Sequence, residues 1–259
     1  MNRIDQPGKL CNLRRETAGP EFSIEAGLFT PSSDSSRVLF VPVHYEPEYG
    51  YPLIVWLHGP DADERQILRI MPIISMRNYV SVAPRGLPTG VRKPARESFG
   101  WPQGPEAIHE AAQRVFDSIE AVQDKYHVAG DRVFLAGFDC GGTMALRLAM
   151  GYPSRFAGVI SLAGAFPSGQ TPLGHLTEAR KLPVFLAVCR DSGEYPPAAA
   201  CDDLRLFHAA GISITLRQYP CAHQLTPLML RDLDRWIIEQ ITASATPQAE
   251  PSDTYPPKN

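Results

Sequence analysis

From Val38 onward, short apolar, β-branched runs alternate with amphipathic helical stretches, and that alternation constrains the fold more than anything else in the chain. Val38 to Val43 and Pro52 to Leu57 read as strands joined by the turn Glu46-Pro47-Glu48-Tyr49-Gly50. Asp61 or Asp63 is placed to cap a helix that runs to about Met71, where Pro72 interrupts it. A strand from Tyr79 to Ala83 leads into a long Gly- and Pro-rich loop, Pro84 to Gly104. Pro105 opens a helix at the first turn, where a missing N–H costs nothing. Its residues Ile108, Ala112, Val115, Ile119, Val122 and Tyr126 advance by three or four and form one apolar face. Further strands follow at Arg132 to Phe138, Ala157 to Leu162, Leu182 to Cys189 and Ile212 to Tyr219. Helices from Gly141 to Met150 and from about Pro197 to Ala210 lie between them, and Thr226-Pro227 caps a last helix whose face is Leu230, Leu233, Ile237 and Ile241. The pattern predicts an α/β fold: a mostly parallel sheet with helices on both sides, and a ligand site beyond the carboxyl ends of the strands.

The sheet and its helices account for one domain, 37–242, between an N-terminal extension, 1–36, and a tail, 243–259. The extension is polar and broken by Pro and Gly, with room for a short strand or two between Phe22 and Phe29. The tail is rich in Pro, Ser, Thr and Ala without periodicity, and the expectation is disorder. A net charge of −3 supplies no basic field for nucleic acid. Met1 to Gly19 holds no apolar run long enough for a signal peptide, and no segment approaches a membrane span, so the expected location is cytoplasmic. The five cysteines (Cys11, Cys140, Cys189, Cys201, Cys221) are odd in number and lack C-x-x-C or zinc spacing, so reduced thiols, no metal and no cofactor are expected. Cys189 and Cys221 follow neighbouring predicted strands, which leaves a pair there open. Nothing in the sequence fixes an oligomeric state.

The most informative stretch runs from Arg132 to Gly142, where a buried strand enters a helix through the turn Gly137-Phe138-Asp139-Cys140-Gly141-Gly142. In α/β-hydrolases this is the nucleophile elbow, G-x-S-x-G, whose glycines make room for a strained backbone at the nucleophile. Here Asp139 stands where serine belongs. The plainer alternative is an aspartate capping a helix N-terminus.

Other segments carry a resemblance over most of residues 36–240. Trp56-Leu57-His58-Gly59-Pro60-Asp61 resembles the His-Gly oxyanion segment of the phospholipase/carboxylesterase family, which includes acyl-protein thioesterases. Ala83-Pro84-Arg85-Gly86 is similar to that family's next strand end, and Ala136-Gly137-Phe138 enters the elbow as the family does. Pro183-Val184-Phe185-Leu186-Ala187 is similar to its penultimate strand, and Ala222-His223 falls where the family places its catalytic histidine. The resemblance implies an α/β-hydrolase fold without a large cap, a small acyl-ester or apolar ligand, and carboxylic ester or thioester hydrolysis as the parent chemistry. It also implies that His223 is the base. His58 is expected to pack beneath its loop rather than act on substrate.

Three departures qualify that chemistry. Asp139 has no hydroxyl proton for histidine to remove, and a mixed anhydride formed by a carboxylate is a poor route to expelling an alkoxide. Family resemblance assigns the oxyanion donors to the N–H groups of Cys140 and of the residue after His-Gly; that residue is Pro60, which has none. Asp61, beyond Gly59-Pro60, is the candidate substitute. At the acid, an ungapped match sets Ser192 at the family's aspartate position and Asp191 one residue early. Asp191 is expected to orient His223, with Glu194 behind it. His223 then lies between two carboxylates, an arrangement that favours imidazolium. The expected outcome is a hydrolase-like protein with serine-type activity impaired or lost. The alternatives are a non-catalytic binding homologue, ester or thioester hydrolysis by a rescued route such as Asp139 acting as general base on water, an Asp-nucleophile hydrolase of dehalogenase or epoxide-hydrolase type, and a thiol enzyme using Cys140. The Ala163 to Lys181 segment is too short for the cap that an Asp-nucleophile enzyme uses. Phe99 and Trp101, in the 84–104 loop, are expected to line the pocket.

Overall fold

The computed structural model describes residues 37–92 and 96–245. The extension, any strand between Phe22 and Phe29, and the tail beyond Ala245 lie outside the described residues. A seven-stranded sheet has the order β1-β3-β2-β6-β7-β8-β9. Its strands are β1 (Arg37–Phe40), β2 (Tyr51–Leu57), β3 (Val80–Pro84), β6 (Val128–Phe138), β7 (Gly158–Leu162), β8 (Val184–Cys189) and β9 (Ile214–Tyr219). β1 runs antiparallel to β3 at one edge, and every other pairing is parallel. The helices are α1 (Gln66–Ile74), α2 (Pro105–Gln123), α3 (Cys140–Gly151), the one-turn α4 (Leu176–Ala179), α5 (Pro197–Ala210) and α6 (Pro227–Ala245).

Period-two alternation divides the core. In β2, Leu53, Val55 and Leu57 join Val115 and Ile119 of α2 and Met144 and Leu148 of α3 on one face. Ile54 and Trp56 point the other way, among Ile67 and Met71 of α1 and Leu233 and Trp236 of α6. Because both faces are covered, the central strands carry continuous apolar runs, and β2 is buried at all seven positions.

Three expectations need correction. The 84–104 segment is not a loop throughout. Leu87–Arg92 (β4) and Arg96–Gly100 (β5) form an antiparallel hairpin. Pro88 and Gly90 depress strand propensity there, and the register shifts between Pro88 and Gly90, which removes the alternation that would have revealed the pair. The first helix passes through Pro72 and ends at Ile74. Proline so near the end forfeits one hydrogen bond without breaking a long continuation. The last helix extends to Ala245, three residues into the segment assigned to the tail, because the Ile237/Ile241 face stays packed on the α1 side of the sheet.

Candidate active site

The elbow is drawn tight by glycines. A Cβ on Gly141 would stand 2.3 Å from the Leu57 carbonyl oxygen and 2.5 Å from that of His58, and one on Gly137 would stand 2.4 Å from Gly141. The first turn of α3 therefore rests directly on the end of β2. Asp139, between β6 and α3, is held at φ 51, ψ −119, a conformation that strains a residue with a Cβ. The neighbouring strand holds it there: the Asp139 N–H donates to Leu162 O (2.8 Å), and the Thr143 N–H donates to Asp139 O (2.9 Å).

Asp139 occupies the N-cap position of α3, yet its carboxylate makes no capping bond. It reaches His223 instead, with Oδ2 2.6 Å from Nε2. The other ring nitrogen, Nδ1, meets Ser192 Oγ at 2.8 Å. Ser192 Oγ also accepts the Tyr195 N–H at 2.9 Å, and the Tyr195 hydroxyl donates to Asp203 Oδ2 at 2.7 Å. A polar chain thus runs Asp139, His223, Ser192, Tyr195, Asp203. Asp203, on α5, accepts the Phe166 N–H as well (2.8 Å), which ties the acid loop to the segment after β7.

The structure does not bring Asp191 to His223. Its two carboxylate oxygens are held by the neighbouring Arg190 at 2.9 and 3.1 Å, in solvent. That guanidinium holds the Asp191 carboxyl below the usual carboxylate range. Ser192 turns inward because its N–H closes a tight turn onto Cys189 O (3.3 Å) while Asp191 N–H bonds Cys221 O (3.0 Å), so adjacent side chains face opposite ways. Asp191→Asn is accordingly expected to leave the His223 ring resonances unchanged in nitrogen NMR. Ser192→Ala should shift the Nδ1 resonance.

Hydrogen-bond chemistry fixes the proton at Nε2. Ionised Asp139 only accepts, so Nε2 must be a donor. In the neutral ring, Nδ1 accepts from the Ser192 hydroxyl, and in imidazolium it donates to Ser192 Oγ. In neither state does Nε2 offer a lone pair toward the elbow. A serine hydrolase needs the reverse, with Nδ1–H on a carboxylate and Nε2 facing a hydroxyl. Carboxylate and hydroxyl have changed places around this histidine.

The segment that the family resemblance matches to the oxyanion region offers few free donors. The Gly59 N–H is taken by Gln66 Oε1 (3.2 Å), which also accepts the Trp56 indole N–H (2.8 Å), and Pro60 has no N–H to give. The Cys140 N–H belongs to the first turn of α3, where no intrahelical acceptor exists. Asp61 sits at φ 58, another left-handed position for a residue with a side chain. Burial, and then the charge of Asp139, push the Cys140 thiol up to about 11, so at neutral pH it is protonated and a poor nucleophile.

His58 is a structural histidine. Its Nε2 accepts the Gly86 N–H (3.0 Å), which leaves Nδ1–H to donate to Gly59 O (2.9 Å). Burial lowers its pKa and keeps the ring neutral. Trp101, expected in the pocket wall, is 3% exposed in the core, its indole N–H donating to His58 O at 2.9 Å. Phe99 lies beneath the Arg85 guanidinium, 5.0 Å from its carbon. Beside them Glu64, nearly buried, takes two hydrogen bonds from Arg85 at 2.8 and 2.5 Å. Burial raises the Glu64 pKa, but the Arg85 bonds and charge outweigh it, and the net shift is downward. A carboxyl whose folded pKa lies below its unfolded value stabilises above that unfolded value, near pH 4.3, and the contribution disappears as pH falls through the folded pKa. Glu64→Gln should therefore lower stability by about 1–2 kcal/mol at neutral pH, because half-exposed Arg85 can turn to water. It should also flatten the acid limb of the melting-temperature profile below about pH 4.5, measured by calorimetry.

Gln66, Tyr195 and Asp203 carry no signal in the sequence. Each acts through a hydrogen bond that only the folded loops create.

The sheet order, the elbow and the histidine after the last strand define an α/β-hydrolase. The model of the Phospholipase/Carboxylesterase family matches residues 96–241, and the chain belongs to that family. SOBER1 of Arabidopsis thaliana superimposes with TM-score 0.63 at 19% identity, covering 74% of this chain and 100% of that one. Zea mays acyl-protein thioesterase 2 gives 0.62 at 16% identity, covering 80% and 99%. At such identities these structures speak to the fold. NocK of Nocardia uniformis subsp. tsuyamanensis, whose name describes an esterase, is 34% identical over 46% of this chain. A rice (Oryza sativa subsp. japonica) protein with a carboxylesterase name is 26% identical over 57%. The chain spans 34% of the first and 56% of the second.

Proposed function

We propose that this is a carboxylesterase-like α/β-hydrolase whose elbow no longer performs serine-type hydrolysis, and which keeps the site for binding a small acyl-ester or apolar ligand. One observation carries the reading: His223 Nε2 is 2.6 Å from the Asp139 carboxylate, with Ser192 Oγ at Nδ1. The base is turned away from its task, and no hydroxyl stands at the elbow. The Asp-nucleophile alternative has less support. It needs a histidine that activates water with a carboxylate behind it, and a cap that grips the leaving group. Behind this histidine is a serine, and between β7 and β8 the chain forms only the four-residue α4.

The test is titration with a medium-chain p-nitrophenyl ester, following both binding, by intrinsic tryptophan fluorescence, and product release. Saturable binding without enzyme-dependent release is expected. Release that depends on His223 would refute the reading.

A further inference from the structure

Beyond the hydrolase site, the ends of β8 and β9 carry a pair of cysteines. Their parallel register sets Cys189 opposite Tyr219. Past the strands the pairing continues: Arg190 N–H donates to Tyr219 O (2.8 Å) and Asp191 N–H to Cys221 O (3.0 Å). The backbone at Cys221 also folds back, its N–H donating to Tyr219 O at 2.9 Å. This local curl brings Cys221 alongside Cys189 against the same apolar cluster, where Cys189 Sγ also lies 3.9 Å from Gln224 O, just past His223. Cys189 is fully buried, while Cys221 is partly open to solvent. The other two described cysteines stand apart, Cys140 at the start of α3 and Cys201 on the exposed side of α5.

We propose that Cys189 and Cys221 form a disulfide on exposure to a small-molecule disulfide, stapling the loop that carries Ser192 to the loop that carries His223. In the balanced reaction, the Cys221 thiolate attacks one sulfur of the small disulfide and expels one thiol. The Cys189 thiolate then displaces the second thiol from the mixed disulfide, giving the protein disulfide and two reduced small thiols. The more open cysteine takes the first step, and the buried one beside it on the adjacent strand end resolves it. Ser192 is three residues past Cys189, and His223 is two past Cys221, so the bond fixes the base of both arms that meet at the imidazole. Burial, and then the neighbouring Cys189, push the Cys221 thiol up to about 12. Its thiolate is scarce at neutral pH, so the bond should form slowly and act as a staple, not as a rapid sensor.

The test is incubation of the native full chain with oxidised glutathione at about pH 8.5, near the pKa of a free thiol, followed by non-reducing peptide mass mapping. The expected result is a Cys189–Cys221 peptide pair lighter by two hydrogens. A melting temperature higher by roughly 5–10 °C should accompany it, both reversed by dithiothreitol and absent in Cys221→Ser. Cys201→Ser should still form the link. A glutathione adduct that persists on Cys221 while Cys189 stays reduced would overturn the proposal, as would a link to another cysteine or no change in either thiol. None of these outcomes depends on whether the site hydrolyses esters.

Discussion

The double variant Asp139→Ser, Ser192→Asp is expected to hydrolyse p-nitrophenyl acetate with kcat/KM at least about 10³-fold above the parent, because it returns a hydroxyl to the elbow and a carboxylate to the far side of the ring. The strained backbone at position 139 and the inward turn at 192 are already in place. Tyr195 N–H, which now bonds Ser192 Oγ, would bond the new carboxylate and hold it ionised. The single variants separate the two effects. Ser192→Asp alone leaves His223 between two carboxylates with nothing to deprotonate, and should be silent. Asp139→Ser alone supplies the nucleophile but leaves a weakly polar hydroxyl behind the base. Loss of the orienting carboxylate costs on the order of 10⁴ in a serine protease, so this variant should trail the double by about 10²–10⁴. Adding Pro60→Gly restores a backbone donor and is expected to contribute roughly another 10²–10³. Steady-state ester assays, with circular dichroism as a check on folding, read all four.

Gly141→Ala should be strongly destabilising. The new Cβ would lie 2.3 and 2.5 Å from two backbone oxygens of the Leu57-His58 segment, neither of which can swing aside as a side chain would. Either α3 lifts from β2 or the end of β2 bends, and both moves disturb the elbow and the buried His58. Overpacking of this kind costs about 3 kcal/mol or more. The melting temperature should fall by roughly 6–12 °C for a domain of this size. Gly151→Ala is the control: it lies at the end of the same helix, has ordinary φ, and an added Cβ meets nothing within 4 Å. It should be neutral or stabilising by up to about 1 kcal/mol. Calorimetry of the two variants distinguishes a contact effect at Gly141 from the general cost of replacing a helical glycine.

Apolar periodicity made the main sheet and its long helices legible, because strands buried on both faces and helices with one apolar stripe leave unmistakable patterns. The β4–β5 hairpin escaped because Pro88 and Gly90 interrupt it and its register shifts. At the site, Asp139 and His223 were legible from position in the strand order, and the structure brings their side chains together. Ser192 stands at the aspartate position of the ungapped match, but chemistry favours a carboxylate beside imidazole, and that preference points to Asp191. Which of two adjacent loop side chains turns inward depends on the Cys189–Ser192 turn and the bond from Asp191 N–H to Cys221 O, neither of which has a sequence signature. The place of Trp101 is hidden from the sequence for a related reason. An aromatic in a loop near a site suits a pocket wall equally well, and only the indole bond to His58 O shows that it belongs to the core.

On the proposed function, the exchange of carboxylate and hydroxyl around His223 ends serine-type hydrolysis at the elbow. The most direct test compares the parent protein with His223→Ala in the hydrolysis of short and medium p-nitrophenyl esters. Equal rates, no faster than background, are the predicted result. Turnover by the parent that vanishes in His223→Ala would show that the histidine still serves as a base, and would contradict the account.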